Sequence, residues 1–239
     1  MILDIEYADM LGSSLNVFAK ERPSVPAAKR RMKEIEIPGR DGKVYQDDGS
    51  YEPTEIQVAF NFREKNEDKV IARFRKIQRW LSAKESRLIF SDDTEVYYRI
   101  SKVEVGELER TSGRIGNFTA TFHTRDGLAY AVDGRKEYSP EQVKKNIYGL
   151  SHPVYKITGE GSCMLTVNGH QMKVNVHKSI IIDTDRILAY SKDGTLQNAM
   201  ISGEYEDMYL LYGDNDVSIS PGFDLKVIPN WRYDNDSSI

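Results

Sequence analysis

The sequence has a single cysteine, Cys163, among 239 residues, so no disulfide can form within the chain. It also lacks any run approaching the ~18 apolar residues of a membrane-spanning helix, which predicts no membrane contact. The first residues, Met1 to Glu6, carry neither the basic segment nor the apolar stretch of a secretory signal. We therefore expect a protein that is made in the cytoplasm and leaves it only inside a larger particle.

Excess positive charge is also missing. The chain has 33 Lys and Arg against 37 Asp and Glu, a formal net charge of −4. A nucleic-acid-binding protein should instead show a basic patch. The one concentrated basic run, Lys29 to Arg31, is typical of a solvated strand flank. Apolar residues make up only 39% of the chain even with tyrosine included, so we expect shallow cores and some apolar surface buried between subunits.

Signatures of catalysis and metal binding are absent as well. There is no Gly-x-Ser-x-Gly elbow, and Cys163 has no basic neighbour that would activate it. Asp183 and Asp185 lack the further partners of a calcium loop or an acid–base pair, so a turn at a strand end is favoured. The histidines are dispersed, although the last two could meet across a hairpin ladder: His123, His152, His170 and His177. The sequence predicts no enzyme, no cofactor and no metal ion.

What is present is a β pattern interrupted by one amphipathic helix. Apolar residues at helical spacing predict a helix over about residues 67–83, with Asn66 as N-cap: Val70, Ile71, Phe74, Ile77, Trp80 and Leu81. Alternating residues predict strands around it, at 54–62, 86–90, 96–105 and 115–123. We expect a mainly β protein whose first domain, residues 1–135, is an α+β unit.

The polar stretch 133–142 predicts a break, and the chain after it looks entirely β. Asn168-Gly169, between two alternating runs, is the pair most favoured in a type I′ hairpin turn. Further strands are predicted at 179–183, 187–191, 207–212, 215–220 and 223–229. Their spacing favours a β-sandwich or jelly roll over residues 136–239.

The stretch Ile37-Pro38-Gly39-Arg40-Asp41-Gly42 is the most distinctive. Met32 to Ile37 alternates like a half-buried strand, and Pro38-Gly39 has the chemistry of a type II turn. A phosphate-binding loop would need a helix directly after the glycines, whereas extended chain resumes at Lys43. The stretch therefore predicts a turn that sets strand geometry.

Five features together resemble the distal tail protein family of long-tailed bacteriophages and prophages of Gram-positive bacteria. In chain order they are Ile37–Gly42, the helix ending in Trp80-Leu81, the hairpin Leu165–Gly169, Ile180–Asp183 with Tyr190 and Asn198, and the closing runs Gly213–Ile219 and Val227–Tyr233. One departure is Tyr212-Gly213-Asp214-Asn215, where the family pattern has Pro-Gly before the asparagine.

The resemblance implies a structural protein of the virion tail tip or baseplate. Members form a ring, usually hexameric, built by the N-terminal domains, while C-terminal galectin-like β-sandwich domains point outward. The ring joins the tail tube protein to the tail-tip protein, leaves a channel through which DNA only passes, and in some phages recruits a receptor-binding protein. Pro38, Gly39, Arg40, Asp41 and Gly42 would then be a turn of the ring-forming domain.

Two other functions stay open at the level of sequence. A galectin-like domain could be a carbohydrate-binding module that contacts the host cell wall, with Tyr205, Tyr209, Tyr212 and Trp231 as candidate sugar contacts. Strand periodicity would nevertheless bury several of these aromatic residues. A tail-associated hydrolase is the remaining alternative, and no catalytic constellation favours it.

Overall fold

A computed structural model describes residues 3–234, apart from the side chains of Asp48 and Thr111. The chain divides into two compact units, with the boundary between Ala129 and Tyr130. Both units are mainly β, and none of the helices in the described range is long and apolar enough to cross a bilayer. Each unit has a hydrophobic core of its own.

The first unit contains ten strands and one α-helix among its described residues. They are β1 (Ile5–Tyr7), β2 (Met10–Leu11), β3 (Val17–Ala19), β4 (Arg30–Glu36), β5 (Lys43–Tyr51), β6 (Glu55–Arg63), α1 (Val70–Leu81), β7 (Ser86–Phe90), β8 (Asp93–Val105), β9 (Glu109–Ser112) and β10 (Ile115–Ala131). The main sheet has the order β2-β1-β7-β8-β10-β6-β3, with β9 also paired to β10. An isolated bridge between Leu3 and Ala19 joins β3 to the chain just before β1, so the sheet curls round its core.

The predicted strand faces form this core. Ile56, Val58, Phe60 and Phe62 are the buried residues of β6, and β10 runs antiparallel beside it with Phe118 opposite Phe60. Their rings stack at 5.1 Å between centroids. Because side chains alternate across a strand, one face of each strand is apolar and the other stays in water.

Helix α1 covers one part of the core with its apolar stripe. Phe74, Ile77 and Trp80 are buried, and the indole Nε1 of Trp80 donates to the carbonyl of Tyr7 at 2.8 Å. The predicted helical region is split, because residues 67–69 form a 3₁₀ turn ahead of the α-helix. Asn66 stands before that turn as predicted, but its side chain makes no capping hydrogen bond.

The second unit is all β apart from short 3₁₀ turns. Its described strands are β11 (Lys145–Asn146), β12 (Val154–Val167), β13 (His170–Asp183), β14 (Leu188–Tyr190), β15 (Ile201–Ser202), β16 (Gly213–Asp214), β17 (Val217–Ile219), β18 (Asp224–Ile228) and β19 (Arg232–Tyr233). The hairpin β12–β13 forms the middle of a six-stranded antiparallel sheet. Strands β17 and β18 pair with the other edge of β12, and β14 and β15 with the other edge of β13.

Two features differ from the sequence prediction. The units divide between Ala129 and Tyr130, ahead of residue 135, since Ala131 already lies in the second core and its N–H donates to the carbonyl of Trp231 there. The polar residues 133–135 then form a 3₁₀ turn against the second core, where Gly134 leaves no room for a Cβ beside Trp231. Residues 207–212 are not a strand: a 3₁₀ turn, Glu206–Met208, precedes a single bridge from Leu210 to Ser151.

Candidate assembly surfaces

The distinctive stretch after β4 is a type II turn. The N–H of Arg40 donates to the carbonyl of Ile37 at 3.1 Å, which closes a four-residue turn. Pro38 occupies the second position of the turn, and Gly39, at the third position, has φ of +80°. This conformation favours glycine at position 39, because a Cβ makes positive φ unfavourable. Gly42, at φ +83°, gives the second reversal before β5 begins.

The turn connects a hairpin that stands apart from the main sheet. Strands β4 and β5 form a sheet of their own, in which Ile35 lies opposite Val44 and Glu34 opposite Tyr45. Cross-strand ion pairs hold the register: Lys43 contacts Glu34, and Arg30 contacts Asp47 at 2.6 Å.

Asp47 shows how the hairpin is held electrostatically. The N–H of Gly49 and the guanidinium of Arg30 both favour its carboxylate, so the pKa of Asp47 lies below its usual value. The same guanidinium lies over the ring of Tyr51, 5.1 Å from its centroid. Arg40 and Asp41 at the hairpin tip have no ion-pair partner among the described residues.

Apolar side chains on this hairpin face solvent. Met32 and Tyr45 share one face and are 46% and 60% exposed, and Ile37 is 43% exposed. A two-stranded hairpin without a packed face is marginal in water, and each strand leaves one edge without a strand partner in the described structure. The hairpin therefore has the properties of an element that is completed by another chain.

The second unit has the predicted hairpin turn between β12 and β13. Asn168 and Gly169 both have positive φ, +51° and +86°, as a type I′ turn requires. Asn168 also accepts from the N–H of Asp216 at 2.9 Å and donates to Asn215 at 2.9 Å. These contacts tie the hairpin end to the loop before β17.

The candidate sugar-binding aromatics do not converge. Trp231 is 6% exposed and stacks on Tyr148 at 5.8 Å within the second core, so its face is not available to a ligand. Tyr209 stacks on His152 at 4.1 Å, and Tyr205 packs against the core beside its 3₁₀ turn. An exposed aromatic platform of the kind that sugars prefer is not formed by these three side chains.

Tyr212 belongs to an apolar patch that sequence reasoning missed. The register of β11 with β16 pairs Asn146 with Gly213, so Ile147 and Tyr212 each adjoin a residue of this pair. These two side chains are 64% and 63% exposed, and neighbouring Leu211 is 51% exposed. The Asn146 amide donates to the carbonyl of Leu211 at 3.0 Å and holds the two segments together. Only this cross-strand register, not sequence spacing, reveals the patch.

The histidines occupy separate places, each beside a carboxylate. His123 lies between Glu55 and Glu104 at 3.3 Å from each, and its side chain is 17% exposed, so it is more enclosed than a surface histidine. His170 and His177 both lie on β13, so they do not meet across a ladder. Within residues 3–234, no group of three or more His, Cys, Asp or Glu side chains is arranged to hold a metal ion.

Asp183 ends β13 as a buried turn residue. Its Oδ1 accepts from the N–H groups of Asp185 and Arg186, both at 3.1 Å. Burial raises the pKa of this carboxyl, against the lowering effect of the hydrogen bond from Arg186. Cys163 is buried in the second core, and burial raises the pKa of its thiol, which opposes reactivity.

Comparison with known proteins gives matches in family and in fold. Residues 10–124 match the family model of the phage tail protein RIFT-related domain. The Dit protein of phage SPP1, described as a paradigm of the hub adsorption apparatus in phages that infect Gram-positive bacteria, aligns with a TM-score of 0.66 at 15% identity. This alignment covers 95% of the present chain and 98% of that protein.

A second solved structure has a similar fold. A chain from the baseplate of phage P2, in its activated conformation with Ca, aligns with a TM-score of 0.58 at 11% identity over 99% of both chains. No curated protein matches the sequence significantly. Residues 10–124 therefore belong to the phage tail protein RIFT-related family, and the chain has the fold of the distal tail proteins of siphophages that infect Gram-positive bacteria.

Proposed function

We propose that this protein is the ring-forming hub at the tip of a siphophage tail. The observation that carries the proposal is the fold likeness to the SPP1 Dit hub along 95% of the chain. In this proposal a hexamer of first units surrounds a channel for DNA and joins the tail tube protein above to the tail-tip protein below. The role is structural and works by binding alone.

The β4–β5 hairpin supports assembly through the first unit. Its exposed Met32 and Tyr45 lose contact with water when a neighbouring subunit covers them, at ~25 cal/mol per Å² of apolar surface. The open strand edges offer backbone hydrogen bonds to the same neighbour. In a closed ring every subunit gives and receives one such contact, so no edge is left exposed.

The experiment that tests the ring is a measurement of mass and shape. Native mass spectrometry and negative-stain microscopy of the full chain should give a closed oligomer, alone or with co-expressed tube and tip proteins. The double variant Met32→Asp/Tyr45→Asp should remain folded and monomeric. Its matched control, Ile187→Asp/Leu196→Asp, changes two equally exposed apolar residues of the second unit and should still form rings. A wild-type monomer in every mixture would refute the hub.

The second unit, in the same proposal, is the outward galectin-like domain. The patch of Ile147, Leu211 and Tyr212 is the surface through which it contacts the receptor-binding apparatus. Replacing Tyr212 with Asp should weaken co-purification of the phage's receptor-binding protein and leave the ring intact. Equal recovery with Tyr212→Asp and with wild type would exclude this patch as the contact.

A further inference from the structure

A cationic groove lies in the first unit, at the end of the main sheet where β6 ends and β10 begins. Its volume is about 610 Å³, and its apolar lining includes Phe18, Phe62 and Ile115. Phe62 is buried, whereas Phe18 is half-buried and Ile115 is 38% exposed, so the last two are accessible from the groove. This volume can accommodate one or two large side chains.

Three cations line the same groove. Arg63, Lys65 and Arg114 are all exposed, and none has an ion-pair partner among the described residues. The β6–β10 register brings them together, because Arg63 pairs with Ile115 and the N–H of Glu64 donates to the carbonyl of Arg114 at 2.9 Å. Residues that are distant in sequence thus surround one opening.

The one carboxylate in the lining does not offset these cations. Glu64 is engaged by the guanidinium of Arg73 at 2.8 Å, with both side chains largely buried. The Arg73 hydrogen bond also holds the pKa of Glu64 below its usual value, so the carboxylate stays charged and paired. The groove is therefore positive on a chain whose net charge is −4.

We propose that this groove binds an acidic segment of another protein, one that carries a large apolar side chain between its carboxylates. The apolar side chain would fill the space beside Phe18 and Ile115, and the carboxylates would pair with Arg63, Lys65 and Arg114. Arginine matches a carboxylate with two parallel N–H donors, which favours this partner over a neutral peptide.

A nucleic acid fits the groove less well. Phosphates gain nothing from the aliphatic side chain of Ile115, and the negative net charge of the chain repels a long polyanion while a short acidic segment meets only the local field. The apolar lining and the cations together match a peptide that has both kinds of group.

Selection from a random peptide library on the full-length protein tests the proposal. Peptides that bind the wild type and are rejected by Arg63→Glu/Arg114→Glu should be rich in Asp and Glu around a Phe, Leu or Trp. Arg75→Glu/Arg79→Glu is the matched control, since it makes the same charge reversal at two exposed arginines of α1 that lie outside the groove lining and have no ion-pair partner within residues 3–234. A neutral or basic consensus, or no selective peptide, would overturn the proposal.

Fluorescence anisotropy with one defined probe completes the test. The probe is a synthetic peptide with one Phe between runs of Glu, and we expect micromolar affinity that falls about tenfold in Arg63→Glu/Arg114→Glu. The control variant Arg75→Glu/Arg79→Glu should retain more of this affinity. Ile115→Ser keeps all the cations of the groove and should nevertheless weaken peptide binding. Equal losses of peptide affinity in the two double-arginine variants would show that the peptide is attracted only by the general positive charge and not by the groove.

Two further results would contradict the proposal. Tighter binding of a single-stranded oligonucleotide than of the peptide would assign the groove to nucleic acid. A change in oligomer size in Arg63→Glu/Arg114→Glu, but not in the helix control, would assign it to a second copy of this chain. Because Arg63 and Arg114 are exposed and unpaired, we expect an unchanged melting temperature in the double variant, which circular dichroism can verify.

Discussion

At the scale of single residues, the backbone conformation of Gly39 gives a test of the proposed assembly. Gly39→Val places a β-branched residue at φ +80°, at a cost of ~1–2 kcal/mol, but a Cβ there meets no atom within 4 Å. We expect a small drop in melting temperature and a large loss of oligomer. Sedimentation velocity and thermal melting measure the two effects separately.

Gly222→Val is the matched control for this prediction. Gly222 has φ of +89° and equally open surroundings, but it lies in the second unit. The Gly222→Val protein should show a similar drop in melting temperature and should still form the oligomer. Intact oligomers in both variants would show that the hairpin turn is dispensable for assembly.

Asp183 gives a prediction about pH. Its folded-state pKa is raised by burial, so the folded protein holds the proton more tightly than the unfolded chain. The resulting stability is full below the unfolded pKa and is lost as pH rises through the folded pKa. Asp183→Asn keeps an oxygen that can accept from Asp185 and Arg186 and removes the charge. We expect its melting temperature to exceed that of wild type at neutral pH and the two to converge in acid.

The stability contribution of Asp193 should depend on pH in the opposite direction. The Ser191 hydroxyl, and then the N–H of Thr195, lower its folded-state pKa. Its stabilising contribution is therefore present above the unfolded pKa and is lost as pH falls through the folded pKa. Asp193→Asn should be less stable than wild type at neutral pH only. If both variants shift the melting temperature in the same direction at neutral pH, one of the assigned signs is wrong.

At the scale of elements, helix α1 stabilises the first unit through Trp80. Trp80→Ala removes a buried ring and leaves the Tyr7 carbonyl without its indole donor, so we expect a loss of ~3–5 kcal/mol in the free energy of unfolding. Urea denaturation followed by circular dichroism measures this loss. Ile71→Ala on the same helix is the control, because Ile71 is 48% exposed and should cost much less. Similar losses in the two variants would contradict the assignment of this stabilisation to the buried Trp80 ring.

The elements also show where sequence reasoning succeeds. Strands such as 54–62 and 86–90 were predictable because local alternation matches one buried face, and the observed β6 and β7 nearly coincide with them. Asn168-Gly169 sets its turn locally and was equally predictable. Residues 207–212 alternate as well, and Met208 and Leu210 are buried in the second core, but a 3₁₀ turn and a single bridge form there, which local pattern cannot distinguish from a strand.

At the scale of the whole molecule, the proposed ring would link stability to protein concentration. An oligomer that binds only folded subunits raises the melting temperature as protein concentration increases. We expect this dependence in wild type and its absence in Met32→Asp/Tyr45→Asp, because the exposed hairpin face is then charged. Calorimetry over a range of concentrations checks it. A melting temperature independent of concentration in both proteins would contradict assembly through this face.

The sequence by itself determined the mainly β class, the place of the helix, the type II turn at Pro38-Gly39 and the family resemblance. The first three follow from neighbours in the chain: alternation, helical spacing and the φ preference of glycine and proline. The resemblance rests on the order of five motifs along the chain. Only the tertiary structure decided that Trp231 is buried, that Ile147 and Tyr212 adjoin one strand pair, and that Arg63 and Arg114 share a groove. Strand register sets the last two contacts and core packing the first, and both join residues that are distant in sequence.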